Sequence, residues 1–184
     1  MVYVSGAPGS GKTTLAAQLS AALYIPHVSS DVVHGGVRLT HGEPNDRYVP
    51  FHESFVPLMI DMTKLNISFV VDHVLQEGRS KKDVIDKLSP HASIVYIHAQ
   101  TKDPIARHLA RELTRTDRGR VLDEVGLRAR AEFHTSNLAN TAQALDIGID
   151  KYVVDTSNGY TPHLNDILDY IEKTYERSTH AKTH

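Results

Sequence analysis

Short apolar runs rich in β-branched residues alternate along this chain with stretches whose apolar positions recur every three to four residues. The first run, Val2-Tyr3-Val4-Ser5, predicts a strand. Leu15, Leu19 and Leu23 predict a helix over about 11–23. Pro26 breaks the chain, and residues 27–31 read as a short second strand ending in Asp31. A polar stretch over 32–49 holds Gly35, Gly36, Gly42 and Pro44, with one short helix candidate near 32–39. Phe51, Phe55, Leu58, Met59 and Met62 then share a helical face, with Pro57 expected to kink or divide it. Residues 67–72 form the clearest buried strand, again ending in a carboxylate, Asp72. Ser80, with Asp83 three residues on, reads as an N-cap opening a helix through Val84, Ile85 and Leu88. Residues 93–98 predict a fourth strand, and Asp103-Pro104 starts a helix with the stripe Ile105, Leu109, Leu113. A long helical pattern follows from about 123 to 145, then a fifth strand over 151–155. The last helix carries Leu164, Ile167, Leu168 and Ile171, and its polar tail from Glu176 is expected to fray.

Strands alternating with helices predict an α/β fold, a parallel sheet covered by helices on both faces. Ligands of such sheets sit outside the carboxyl ends of the strands. That rule brings residues 6–13, Asp31, Asp72 and Asp155 to one edge.

At 184 residues the chain is long enough for a sizeable core and is read as one domain spanning 1–184. It shows no internal repeat and no linker. A net charge of −2 argues against a general nucleic-acid-binding surface. Without cysteine there is no disulfide framework, thiolate nucleophile or cysteine–zinc site. No apolar stretch approaches a membrane span, and a glycine-rich motif so near the first residue leaves little room for a signal peptide, so the cytoplasm is the expected compartment.

The candidate chemistry starts in the turn after the first strand, Gly6-Ala7-Pro8-Gly9-Ser10-Gly11-Lys12-Thr13-Thr14. Its Gly-x-x-x-x-Gly-Lys-Thr spacing is that of the nucleotide phosphate-binding loop. Glycines let the backbone approach an anion, and successive N–H groups point at it from the positive end of the next helix. Lys12 is placed to bridge the β- and γ-phosphates, and the Thr13 hydroxyl to hold Mg²⁺. Asp31 is the candidate to orient an acceptor hydroxyl and take its proton; its other use is a helix N-cap. Asp72, after Phe69-Val70-Val71, matches an apolar strand followed by a metal-orienting aspartate, with a substrate role as the other reading. Arg107, Arg111 and Arg115 recur every fourth residue, and Arg118 and Arg120 follow in a polar turn. Seven of the eleven arginines lie between Arg107 and Arg130, in a protein of negative net charge. That concentration predicts a lid, at about 114–121, that closes over a triphosphate and excludes water. The twelve histidines are scattered without a metal-ligand spacing, leaving His34, His52 and His73 as candidate substrate contacts.

With the phosphate loop, Ser30-Asp31, Val71-Asp72 and the arginine-rich segment in place, the chain resembles the small P-loop kinases. Closest in pattern are the kinase domain of polynucleotide kinase, chloramphenicol phosphotransferase and the zeta-toxin-like kinases. Shikimate and gluconate kinases are more distant in pattern; shikimate kinases carry an Asp-x-Asp pair after strand two, whereas here Val32 and Val33 follow Asp31. The resemblance implies a three-layer sandwich with a five-stranded parallel sheet in the order 2-3-1-4-5. It implies ATP and Mg²⁺ as cofactors, Lys12, Asp31, Arg118 and Arg120 as catalytic groups, and Arg111 or Arg115 on adenine. Asp155 and Thr156 would lie near the base, Thr13 and Asp72 at the metal. Asp31, His34, Arg38, His52, Asp72 and His73 would meet the acceptor, three of them within an acceptor-binding segment of about 32–64. The expected activity is γ-phosphoryl transfer from ATP to a hydroxyl of a small molecule. Two other readings stand beside it. One is a kinase for a nucleic-acid hydroxyl, a 5′ end or a hydroxymethylated base, kept open by Arg38, Arg47 and Arg79-Ser80-Lys81-Lys82. The other is a non-catalytic nucleotide-binding switch.

Overall fold

The structure, a computed structural model, describes residues 1–41, 48–114 and 124–180. Five parallel strands form its centre: β1 (Val2–Ser5), β2 (His27–Ser29), β3 (Val70–Asp72), β4 (Val95–Gln100) and β5 (Lys151–Asp155). Their order is β2-β3-β1-β4-β5, as the resemblance implied. β1 lies in the middle and is buried along its whole length.

Alternation within the strands sorts the core into two layers. Tyr3, Phe69, Val71 and Tyr96 point to one face, against Phe55, Val56, Met59, Ile85 and Leu88. Val2, Val4, Val70, Val95 and Ile97 point to the other, against Leu15, Leu19, Ile167 and Ile171. The first layer is covered by α3 (Tyr48–Lys64), a π-type turn (Lys81–Ile85) and the short α4 (Asp86–Leu88). The second is covered by α1 (Lys12–Leu23) and α7 (Leu164–His180). A central strand buried on both faces is apolar over most of its length, which is why Val2–Val4 and Val95–Ile97 read as continuous hydrophobic runs, with the polar Ser5, His98 and Gln100 toward the carboxyl ends.

Several local expectations change. β2 ends at Ser29 and α2 (Ser30–His41) begins at once, so Asp31 lies in the first turn of a helix rather than at a strand end. β3 is shorter than expected, and β4 begins two residues later and runs to Gln100. α3 continues undivided through Pro57, which sits in its interior. On its apolar face Val56 is buried, while Leu58 is exposed. Ser80 does not cap through its side chain; its hydroxyl accepts the Gln76 N–H at 2.8 Å, closing the turn before the π-type segment. The long helix expected over 123–145 stops as α6 (Glu124–Ser136), followed by a 3₁₀ turn (Leu138–Asn140). The last helix runs on through the polar residues after Glu176 to His180.

Candidate active site

The turn between β1 and α1 is built so that only glycine fits. Gly6, Gly9 and Gly11 have φ of 148°, 83° and 82°, a region L side chains rarely adopt. A Cβ on Gly6 would lie 2.2 Å from the Ala99 carbonyl oxygen, and one on Gly9 would lie 1.8 Å from that of Pro104. The loop is therefore pressed between the end of β4 and the start of α5 (Pro104–Thr114). Gly11 is the N-cap of α1 and no side chain caps that end; no acidic residue occupies the first turn. The positive end of α1 is left open to an anion. The Ser10 hydroxyl is buried in the same loop with no hydrogen-bond partner among the described residues. Those features fit a phosphate chain.

Lys12 opens α1 and is buried. Burial pushes its ammonium below the usual lysine range, the Asp31 and Asp72 carboxylates pull it back up, and the Arg111 guanidinium pushes it down again. One buried cation is thus within electrostatic reach of three groups from α2, β3 and α5. Asp72 is fully buried, and Thr13 donates a long 3.4 Å hydrogen bond to its Oδ2. Its Oδ1 has no hydrogen-bond partner among the described residues and lies 3.6 Å from His27 Nε2. A hydroxyl and a carboxylate side by side are hard oxygen donors suited to Mg²⁺, which takes few protein ligands and completes its shell with phosphate and water. Among the described residues no three His, Cys, Asp or Glu side chains form a protein-only metal cage.

The loop after β5 closes the other side. Thr156 donates to the Ser10 carbonyl at 2.7 Å and lies against Gly11, while Asp155 Oδ1 accepts the Ser157 N–H at 2.7 Å. Hydrogen bonds from Ser157 hold the Asp155 carboxyl below the usual carboxylate range. Arg107, expected in the cationic stripe, instead reaches this loop. Its Nη1 donates to the Thr101 hydroxyl at 3.0 Å and to the Thr156 carbonyl and hydroxyl at 3.1 Å each. The expected stripe on α5 is displaced too. Pro104 and His108 are the buried positions, Ile105 and Leu109 are half-buried, and Leu113 is exposed. The cause is the partner surface: α5 docks its backbone on Gly9, so the residues that bury are those beside that contact, not the apolar ones. Arg111 is held by Glu112 Oε1, at 3.1 Å from Nε and 2.9 Å from Nη2, and by His108 Nδ1 at 3.3 Å.

Of the other residues named from sequence, His34 and Arg38 are half-buried on α2. His73 is half-buried against the first core layer, its Nδ1 paired with the Tyr3 hydroxyl at 2.8 Å and its ring 5.3 Å from that of Phe55. His52 lies in α3, but its side chain is outside the described part. Arg115, Arg118 and Arg120, and with them nearly all of the expected lid, lie outside the described residues, as does Arg47. Two side chains carry no signal in the sequence beyond their residue type: His27 and His108. Among the described residues no helix is long and apolar enough to cross a membrane.

Comparisons with known proteins agree with this geometry. A family model described as an AAA domain matches residues 1–136. Among solved structures, a candidate kinase from Chloroflexus aurantiacus superposes with a TM-score of 0.70 at 16% identity, covering 96% of this chain and 95% of its own. A sugar kinase from a Janibacter species gives 0.54 at 22% identity, covering 84% and 83%. A gluconokinase from Sinorhizobium meliloti gives 0.54 at 14%, covering 100% and 97%. At these identities the likeness is one of fold. No curated protein matches the chain. With its phosphate loop, its 2-3-1-4-5 sheet and a family match over most of its length, the chain belongs to the AAA-domain family, on a fold it shares with these kinase structures.

Proposed function

We propose that this protein is an ATP- and Mg²⁺-dependent kinase that transfers the γ-phosphoryl group to a hydroxyl of a small molecule. The observation that carries the reading is the group of charges around Lys12: Asp31, Asp72 and Arg111 all act on one buried ammonium at the open end of α1. Phosphoryl transfer is chiefly positioning and charge stabilisation, and this grouping supplies both. The loop amides and Lys12 hold the phosphates. Arg111, pre-set by Glu112 and His108, adds positive charge on the phosphate side. Arg111, like Arg115, stays a proposed ATP contact, and its charge also reaches Lys12. Mg²⁺, held through Thr13 and Asp72, would neutralise phosphate charge.

Asp31 has the role a nucleotide switch does not need. It is an exposed carboxylate in the first turn of α2, within electrostatic reach of Lys12. There it can orient an acceptor hydroxyl and accept its proton as the oxygen attacks phosphorus. The bond from phosphorus to the β–γ bridging oxygen breaks, and ADP leaves. His34 and Arg38 follow Asp31 at intervals that keep them on one face of α2, and with His73 they are the proposed acceptor contacts. Neighbours named as a sugar kinase and a gluconokinase support a small hydroxylated acceptor. The lid expected at about 114–121, with Arg115, Arg118 and Arg120, is proposed to close over ATP. The test is a screen of acceptors with ATP and Mg²⁺ that includes sugars, sugar acids, nucleosides, antibiotics and 5′-hydroxyl or hydroxymethylated oligonucleotides. Phosphorylation of a small alcohol supports the reading; turnover stimulated only by oligonucleotides, or by nothing in the screen, defeats it.

A further inference from the structure

We propose that His27 is a positioning residue for Asp72, fixing the carboxylate that serves the magnesium site. This rests on the kinase reading above and goes beyond it by assigning a residue outside the phosphate loop and the acceptor face. His27 opens β2 opposite Val70, two residues before Ser29, which lies opposite Asp72. Its imidazole must therefore extend along the strand direction to bring Nε2 to 3.6 Å from Asp72 Oδ1. Both atoms are buried, and neither has a hydrogen-bond partner among the described residues. Two unpartnered polar atoms facing each other inside a protein are costly unless they act as a pair.

The chemistry of the pair fixes its sense. A carboxylate only accepts, so the imidazole nitrogen beside it must carry the proton; a bare Nε2 would set a lone pair against negative charge. That holds whichever overall charge the ring bears. Thr13 approaches the other oxygen, Oδ2, at 3.4 Å. Asp72 thus faces His27 of β2 on one oxygen, at ion-pair rather than hydrogen-bond distance, and Thr13 of the phosphate loop on the other. An N–H beside Oδ1 favours the carboxylate orientation that leaves Oδ2 next to the Thr13 hydroxyl, the pair of oxygens that would hold the metal. Partners of this kind orient metal ligands, and losing one typically costs about 10–100-fold in metal affinity. The sequence offers no motif for it.

The experiment compares wild type, His27→Phe, which keeps a ring without the N–H, and His27→Gln, whose amide can still donate. Mn²⁺ is titrated into protein saturated with a non-hydrolysable ATP analogue and free metal is followed by electron paramagnetic resonance; analogue binding is also measured in EDTA. The expected result is about 10-fold or greater loss of Mn²⁺ affinity in His27→Phe, unchanged metal-free analogue binding, and partial recovery in His27→Gln. Turnover should demand more Mg²⁺ while its rate at saturating metal changes little. In an Asp72→Asn background, His27→Phe should make no further difference. Wild-type Mn²⁺ affinity in His27→Phe overturns the proposal alone, as does an equal loss in both backgrounds. Failure of the wild-type nucleotide complex to bind Mn²⁺ at all overturns the kinase reading and this proposal with it.

Discussion

The Thr156 hydroxyl donates a 2.7 Å hydrogen bond to the Ser10 carbonyl, fastening the turn after β5 onto the phosphate loop. The two residues come from opposite ends of the chain, so the loop's shape depends on the sheet being complete. Thr156→Val keeps the side-chain shape and removes the donor. The expected cost is about 1–3 kcal/mol of stability, because the change strips a hydrogen bond from a buried site. ATP affinity should fall with it. Thermal melting and calorimetric ATP binding on the same protein check both; a variant with unchanged stability and affinity would make the contact incidental.

Lys12 is expected to oppose folding while enabling binding. Its folded pKa is lowered, chiefly by burial, so the ammonium is less favourable in the folded state than in the unfolded one. The penalty is present at low and neutral pH and is relieved as pH rises through the folded pKa toward the unfolded value. Lys12→Met removes the buried charge and keeps the length. The expected outcome is an apo protein at least as stable as wild type at neutral pH that gains no thermal stabilisation from ATP. A strongly destabilised Lys12→Met would show that the ammonium is fully paired.

Gly9 tests the close approach of α5. A methyl group at this position would meet the Pro104 carbonyl at 1.8 Å and would carry a φ of 83°. Backbone atoms cannot rotate aside as a flexible side chain can. Gly9→Ala is therefore expected to displace α5 or distort the loop, lowering the melting temperature and weakening ATP binding more than the same change at Gly35, where a Cβ meets nothing within 4 Å. Equal effects at both positions would contradict the packing described.

How much of this was legible without coordinates follows from the physics of each part. Glycine spacing names the phosphate loop because no other residue tolerates that backbone, and unbroken apolar runs name β1 and the start of β4 because both faces are buried. The side chains that tune the site were not legible. His27 acts across β-register, which depends on pairing with a strand more than forty residues away. On α5, periodicity favoured Ile105, Leu109 and Leu113, but the partner surface is a glycine turn, so Pro104 and His108 are the residues that bury. Arg107 belonged to a visible stripe, and only the folded turn at Thr156 shows its separate use.

His98 should make stability fall in mild acid. It is buried in β4, with Nε2 3.0 Å from the Ala142 carbonyl oxygen, and burial lowers its pKa below the usual 6.5. The unfolded chain therefore binds a proton that the folded one resists. The stabilising difference is complete above the unfolded pKa and declines as pH falls from there through the folded value. His98→Asn is expected to flatten the pH dependence of the melting temperature below about pH 6.5. An unchanged acid slope in a folded variant would remove His98 from that account.

The central claim is that Asp31 serves phosphoryl transfer rather than nucleotide binding. The direct measurement sets the ATP dissociation constant beside the rate of acceptor phosphorylation in wild type and Asp31→Asn. Asparagine keeps the shape and can still satisfy the first turn of α2, so the change isolates the charge. General-base assistance is worth about 10²–10⁴-fold. The expected result is ATP affinity within a few-fold of wild type and transfer reduced by roughly that factor, at an unchanged melting temperature. Full transfer activity in Asp31→Asn would contradict the account and leave Asp31 as a helix-end carboxylate.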